Sequence, residues 1–231
     1  FDSVVVNMKT SGLIISGLSK LLFGIALVGL LLFLPAGTWQ YWQAWVFIAV
    51  LFVPMVIMGV WLLINSPELL AKRLNNKEKE ATQKHVVALS GLMFICGFVL
   101  CGLDYRWGWS DMPWWIVGMA AVLFLLGYAM YAEVMRENAY LSRTIEVQEN
   151  QKLIDTGLYG IVRHPMYTAT LLMFLAIPLI LGSWWGMAVF AVYPVLIIKR
   201  IRNEEQVLAA GLKGYTDYQQ RVRWRLIPWV W

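Results

Sequence analysis

The sequence predicts an all-α protein that crosses a membrane about 5–6 times, with a C-terminal helical hairpin. Three observations carry that reading. Hydrophobic residues make up 60% of the chain, where roughly 45–50% is usual for a soluble domain. Several apolar runs approach or exceed the ~18–20 residues that span a bilayer. If those runs cross in alternation, almost every cation falls on one side.

The first span covers about Leu18 to Leu34, with Lys20 placed to snorkel at its start. It lacks a small-residue cleavage site and further spans follow it, so it reads as a membrane helix rather than a removable leader. Pro35-Ala36-Gly37 ends it, and Trp39, Tyr41, Trp42 and Trp45 follow as an interfacial belt. The second span covers about Ala44 to Ile64. Ser66-Pro67 then reads as the cap and first position of a helix. A charged segment from Leu69 to His85 leads into a third span at about Val86 to Leu103 and a fourth at about Pro113 to Ala132. An aromatic turn, DYRWGWSDMPWW, joins those two. The last two apolar runs, Met166 to Leu181 and Gly186 to Ile198, contain Pro178 and Pro194 and are short, which suits a tilted or kinked hairpin.

With this order only Arg106 lies opposite the other cations. Lys9, Lys72, Arg73, Lys77, Lys79 and Lys84 share one side with Arg136, Arg143, Lys152, Arg163, Lys199, Arg200 and the rest of the tail. The positive-inside rule makes that side cytoplasmic and puts both termini there, in the inner membrane if the source is bacterial. The +5 net charge is then an orientation signal, and nucleic acid is not an expected partner, because the basic residues form no patch with a fold of its own. Two histidines and two cysteines without a Cys-x-x-Cys pair make a protein-built metal site unexpected. Cys96 and Cys101 read as small buried hydrophobes.

The polar residues that carry chemistry gather on that same side. In GLYGIVRHPMY, residues 157–167, Pro165 suits a first helical position and Arg163 a headgroup anchor. Alternatively Arg163, His164 and the open N–H groups of the helix start form an anion site. Arg200 and Glu204 are one helical turn apart, as in a surface ion pair. With Glu205 they also place acids and a cation where a membrane helix ends, which suits a cavity that holds an ammonium and a carboxylate. Tyr215 and Tyr218 read as packing of the tail, and RVRWRLIP as an interfacial anchor. Thr144 to Gln148 alternates weakly, as a short extended piece would.

The ordered set QKLIxTGLYxxVRHPMY, hydrophobic hairpin, RxxxEE, YxxY and a basic run ending in Ile-Pro resembles the isoprenylcysteine carboxyl methyltransferases and the related phospholipid methyltransferases, over roughly Asn138 to Pro228. The resemblance implies one membrane methyltransferase domain over 1–231, with membrane helices in 1–132 and the cofactor-binding and catalytic half in 133–231. It implies S-adenosyl-L-methionine in a cytosolic pocket and a lipophilic acceptor that arrives from the membrane lipids. Carried over by position, Gln151, Lys152, Leu153 and Ile154 would meet the cofactor through backbone, with Tyr159, His164, Pro165, Met166 and Tyr167 completing the wall. Glu204 would hold the cofactor's amino group, and Arg200 would meet the acceptor. Arg163 and Glu205 are expected beside them in catalysis, with Glu205 or His164 as proton acceptor if the acceptor is an amine. The chain departs from the family at Gln151, where eukaryotic members often have His, and before Tyr215, where a Phe-Gly is missing. An upstream Gln contact falls near Thr144. The competing readings are an NADPH-dependent sterol-type reductase, which shares an RHP-like element, and a non-catalytic transporter or scaffold. The second would place charges in mid-span, and none lies between Leu21 and Ile64.

Overall fold

The protein was analysed as a computed structural model that describes residues 10–74, 81–141, 147 and 150–231. The expectations for Lys9, Lys77, Lys79, Arg143 and Thr144, and for the extended piece apart from Val147, lie outside these residues.

The described residues are helical and contain no strand. Helix α1 (Thr10–Ala36) leads through a turn to α2 (Trp42–Asn65). The short α3 (Pro67–Leu74) opens on Pro67, as its missing N–H favours. Helices α4 (Ala81–Trp107) and α5 (Trp114–Glu137) follow. A single 3₁₀ turn (Gly157–Gly160) then precedes α6 (Pro165–Ile180), α7 (Trp184–Phe190), α8 (Tyr193–Gly211) and α9 (Tyr215–Arg221). Among the described residues, five segments are long and apolar enough to cross a membrane: α1, α2, α4, α5, and α7 with α8 taken together. Helix α6 has 16 residues, about 24 Å at 1.5 Å per residue, and is the sixth, shorter apolar helix. The protein is an integral membrane protein.

The observed helices overrun the expected spans at their polar ends, because hydropathy measures the lipid-facing stretch and not the hydrogen-bonded helix. The largest overrun decides the site. The second hairpin arm was expected to end at Ile198, yet α8 continues unbroken to Gly211. Arg200, Glu204 and Glu205 therefore ride on the same rigid rod as the apolar residues that anchor it. The kink of this arm lies at Ala191-Val192, between α7 and α8 and just before Pro194.

Lipid-facing surfaces stay apolar, with Leu22, Phe23, Ile57, Leu126 and Val195 exposed, while the interior is filled by aromatic rings. Phe47, Phe94, Phe98, Phe124, Phe174 and Phe190 pack tilted or edge-to-face at 4.9–6.2 Å, the arrangement their quadrupoles favour. Cys101 is buried as expected, but Cys96 is exposed on the apolar face of α4. Small residues let backbones approach. A Cβ on Gly102 would lie 2.6 Å from the Leu32 carbonyl oxygen of α1. Gly102→Ala is expected to lower the thermal midpoint by the equivalent of about 1–3 kcal/mol, since backbone must move to admit the methyl. Gly118→Ala, with nothing within 4 Å, is the control and should leave the midpoint in place in the same thermal-shift measurement.

The two ends of the bundle differ. At one, Trp39, Trp42, Trp45, Trp107, Trp109, Trp114, Trp115, Trp184 and Trp185 are all exposed, forming a broad interfacial belt. Within this end Asp104 is buried (1% exposed). It accepts hydrogen bonds from the Ser110 N–H (2.8 Å) and hydroxyl (2.7 Å) and from the Ser183 hydroxyl. Ser183 also accepts from the Gly186 N–H as the cap of α7. The α4–α5 turn is thereby tied to the α6–α7 turn. The opposite end carries residues 137–141, 150–165 and 199–231, and the candidate site lies there.

Candidate active site

The site begins where α5 stops. Gly157 has φ +51, and a Cβ there would fall 1.5 Å from the Glu137 carboxylate, so only glycine fits. Glu137 at the end of α5 accepts the Leu158 N–H (3.2 Å), which seats the 3₁₀ turn on that helix. The turn presents Tyr159, whose hydroxyl accepts from Asn138 Nδ2 (2.9 Å) and whose carbonyl accepts the Tyr218 hydroxyl (2.7 Å). Pro165 then opens α6 as its first residue.

Arg163 turns away from the headgroups. It is 8% exposed. Its Nε donates to Glu205 Oε1 (2.8 Å), and its Nη1 faces the carbonyls of Gln219, Val222 and Arg223 at 3.2, 2.9 and 3.3 Å. The backbone N–H groups of Arg163 and His164 donate to the carbonyls of Trp224 and Arg225. Arg225 Nε reaches Glu205 Oε2 (2.8 Å), and His164 Nε2 lies 3.3 Å from Glu205 Oε1. Residues 219–226 are thus bound to the start of α6. The RVRWRLIP run, expected as an interfacial anchor, packs into the protein instead: Val222 and Leu226 are buried, and the Leu226 carbonyl accepts the Thr168 hydroxyl (2.7 Å).

Next to this clamp is an open cavity. One wall is Gln151, Lys152, Leu153 and Ile154, and a second is Tyr159, Arg163, His164, Met166 and Tyr167. Helix α8 supplies Arg200 and Glu204. The structure thus brings eleven of the thirteen expected site residues to one cavity. Pro165 and Glu205 lie outside its lining: Pro165 is buried in the first turn of α6, and Glu205 points to the clamp. The tyrosine expected only as tail packing does both jobs. Tyr215 and Tyr218 pack together with Leu212 and Val222, and both line the cavity.

Seven lining residues were not among those expected: Asn138, Tyr140, Leu141, Leu208, Leu212, Tyr215 and Tyr218. Leu208 was findable, since it continues the Arg200, Glu204 face at four-residue spacing. The others arrive through chain reversals that leave no periodic signal.

At the centre, the Tyr167 hydroxyl accepts from Arg200 Nε (2.8 Å) and donates to Glu204 Oε2 (2.5 Å). The Arg200 guanidinium also lies 5.9 Å from the Tyr167 ring centroid. Tyr167 therefore orients a cation and an anion on the same helix face, presenting each to a different part of the cavity.

The comparisons with known proteins fit this geometry. The phospholipid methyltransferase family matches residues 115–213, the stretch that builds α5 through α8. A protein-S-isoprenylcysteine O-methyltransferase B of Arabidopsis thaliana is 29% identical over 47% of this chain and 58% of its own length. The fold matches an intramembrane Ras methyltransferase, isoprenylcysteine carboxyl methyltransferase, with a TM-score of 0.55 and 17% identity, over 99% of this chain and 88% of that one.

A stretch of the chain is thus similar to the phospholipid methyltransferases, and its fold to isoprenylcysteine carboxyl methyltransferase.

Other relatives match parts of the chain. An uncharacterized protein, YpbQ, of Bacillus subtilis is 32% identical over 41% of this chain and 56% of its own length. A Delta(14)-sterol reductase, TM7SF2, of Mus musculus is 33% identical over 38% of this chain and 22% of its own length. The chain spans little more than half the length of these curated relatives at most. The family match, residues 115–213, takes in every residue of the cavity lining except Tyr215 and Tyr218.

Proposed function

We propose that this protein transfers a methyl group from S-adenosyl-L-methionine to a lipophilic acceptor, at the membrane face where residues 137–141, 150–165 and 199–231 gather. The observation that carries the proposal is the Glu204–Tyr167–Arg200 array lining one cavity with the Gln151–Ile154 wall. Glu204 offers an oriented carboxylate, which fits an ammonium. The first wall offers backbone and the apolar side chains of Leu153 and Ile154 to a nucleoside, and Tyr159, His164, Met166 and Tyr167 close the other side. The bound cofactor supplies a methyl already activated on a sulfonium, so the protein's task is alignment and exclusion of water.

In this reading Arg200 meets the acceptor's polar group, a carboxylate of isoprenylcysteine type being its best electrostatic match. A phospholipid amine is the alternative acceptor, with His164 on the cavity wall to take the proton. Arg163 and Glu205, expected at the outset in catalysis, are assigned instead to positioning. Both Glu205 oxygens already receive donors, and its side chain faces away from the cavity. Together they hold residues 219–226 closed over the site. The positive-inside argument makes this face cytoplasmic.

The sterol reductase relative favours a second reading, NADPH binding in the same cavity. Two features of the site oppose it. Glu204 would face phosphate groups, and Arg163 is already committed to Glu205 and three carbonyls. Calorimetric titration of the detergent-purified protein with S-adenosylhomocysteine and with NADPH decides between them. Micromolar binding of the first alone supports methyl transfer; binding of NADPH alone replaces it with the reductase, and binding of neither by folded protein rejects both.

The division of labour on α8 has its own test. Arg200→Ala should leave S-adenosylhomocysteine affinity within about twofold, yet lower turnover of a prenylcysteine acceptor at least tenfold, as loss of a charge-assisted contact implies. Loss of nucleoside binding instead would show that Arg200 belongs to the cofactor subsite.

A further inference from the structure

Tyr215 carries an unexplained hydroxyl. Its side chain is buried, with 3% of the residue exposed, and its ring packs 5.7 Å from that of Tyr218. Its hydroxyl has no hydrogen-bond partner, although buried polar groups are almost always paired. The residue lines the cavity. It is delivered there by a specific turn: Gly214, at φ +82, reverses the chain after α8 and starts α9, and the Tyr215 N–H donates to the Leu212 carbonyl. Neighbouring tyrosines show what an ordinary tail tyrosine does. Tyr218 gives its hydroxyl to the Tyr159 carbonyl, and Tyr167 gives its own to Glu204. Of these three, Tyr215 is the one whose hydroxyl has no hydrogen-bond partner.

Tyr215 shares the cavity lining with Glu204 and Arg163. Burial raises the Tyr215 pKa, with the negative charges of Glu205 and Glu204 adding to the rise and Arg163 opposing it. The hydroxyl thus stays protonated at neutral pH.

We infer that the Tyr215 hydroxyl is a binding group for the amino-acid arm of S-adenosylmethionine, donating its hydrogen bond to the carboxylate of that arm while Glu204 holds the ammonium. The inference rests on the methyltransferase reading. A neutral donor here complements Glu204: a second acid would repel the carboxylate, and Arg163 on the same lining is already engaged by Glu205. A donor that is unpaired in the free protein also gains fully when the ligand arrives, because no internal bond has to break.

The test uses the full chain in detergent, with Tyr215→Phe, which keeps the ring packing and removes only the oxygen. Two ligands are titrated by calorimetry: S-adenosylhomocysteine, and 5′-methylthioadenosine, which has the same nucleoside and thioether but no amino-acid arm. The ligand-free thermal midpoint is measured alongside. The expected result is an unchanged or slightly raised midpoint, about tenfold weaker binding of S-adenosylhomocysteine, and unchanged binding of methylthioadenosine. Equal weakening of both ligands would move the contact to the nucleoside and overturn the assignment. Unchanged binding of both would remove Tyr215 from the binding machinery. A lowered ligand-free midpoint would show that the hydroxyl has a structural partner, and would overturn the inference as well. If the unaltered protein binds no S-adenosylhomocysteine at all, the methyltransferase reading itself fails, an outcome distinct from each of these.

Discussion

Arg163→Ala is expected to lower the thermal midpoint of the detergent-solubilised protein by about 10 °C. Removing one partner of a buried ion pair costs about 3–5 kcal/mol, because the remaining charge stays buried. For a chain of this size each kcal/mol corresponds to roughly 2–4 °C. Arg225 and His164 still face Glu205 and hold the loss to the lower part of that range. The carbonyls of Gln219, Val222 and Arg223 lose their shared donor at the same time. The tail should therefore detach before the bundle melts. Limited proteolysis would report this as cleavage within residues 219–226, suppressed by S-adenosylhomocysteine in the unaltered protein. Arg163→Lys is the informative companion: it keeps the charge but not the planar fork, and should recover only part of the midpoint. A midpoint within 2 °C of the original for Arg163→Ala would show that the clamp contributes little and that Arg163 has its main role in the cavity.

Glu204→Gln should weaken S-adenosylhomocysteine binding by roughly 10- to 150-fold, the equivalent of about 1.5–3 kcal/mol for a hydrogen bond to a charged group. The substitution keeps an oxygen to accept the Tyr167 hydroxyl, so the fold of the site should persist. What disappears is the negative charge toward a cationic ligand group. Binding to Glu204→Gln should also lose much of its salt dependence, whereas methylthioadenosine, which lacks the ammonium, should bind both forms alike. Unchanged affinity for S-adenosylhomocysteine in folded Glu204→Gln would reject the assigned role. Tyr167→Phe separates orientation from charge. It leaves both Arg200 and Glu204 in place but removes the hydroxyl between them, and a smaller loss than that of Glu204→Gln is expected.

The adjacent acids show how far a sequence can be read. Both stand where a membrane helix ends, and both were candidates for the site. Consecutive residues on a helix project about 100° apart, so only one of them can face a given cavity. Which one depends on the rotation of α8 about its axis, and that is set by packing Tyr193, Leu196, Ile197 and Ile201 into the bundle. The rotation sends Glu204 into the cavity and Glu205 into the clamp. The RHP element was legible in the same partial way. Its proline marked a helix start correctly, and the arginine was recognised as unusual. Its partners lie 42 to 60 residues away, and no local pattern announces them. Leu208 was within reach because it repeats the Arg200–Glu204 spacing, but Tyr215 needed the reversal at Gly214.

By itself the sequence determined that this is a helical membrane protein, which segments cross, and at which end its polar chemistry gathers. These follow from transfer of side chains into lipid and from helix periodicity, and both act over one or two turns of chain. The ordered motifs also carried the family resemblance, which the match over residues 115–213 supports. Tertiary structure alone decided which acid faces the cavity, that Arg163 secures a returning tail, and that Tyr215 enters the site with its hydroxyl unpaired. Those outcomes depend on helix rotation and on contacts between residues tens of positions apart, and such contacts are selected by how the whole bundle packs.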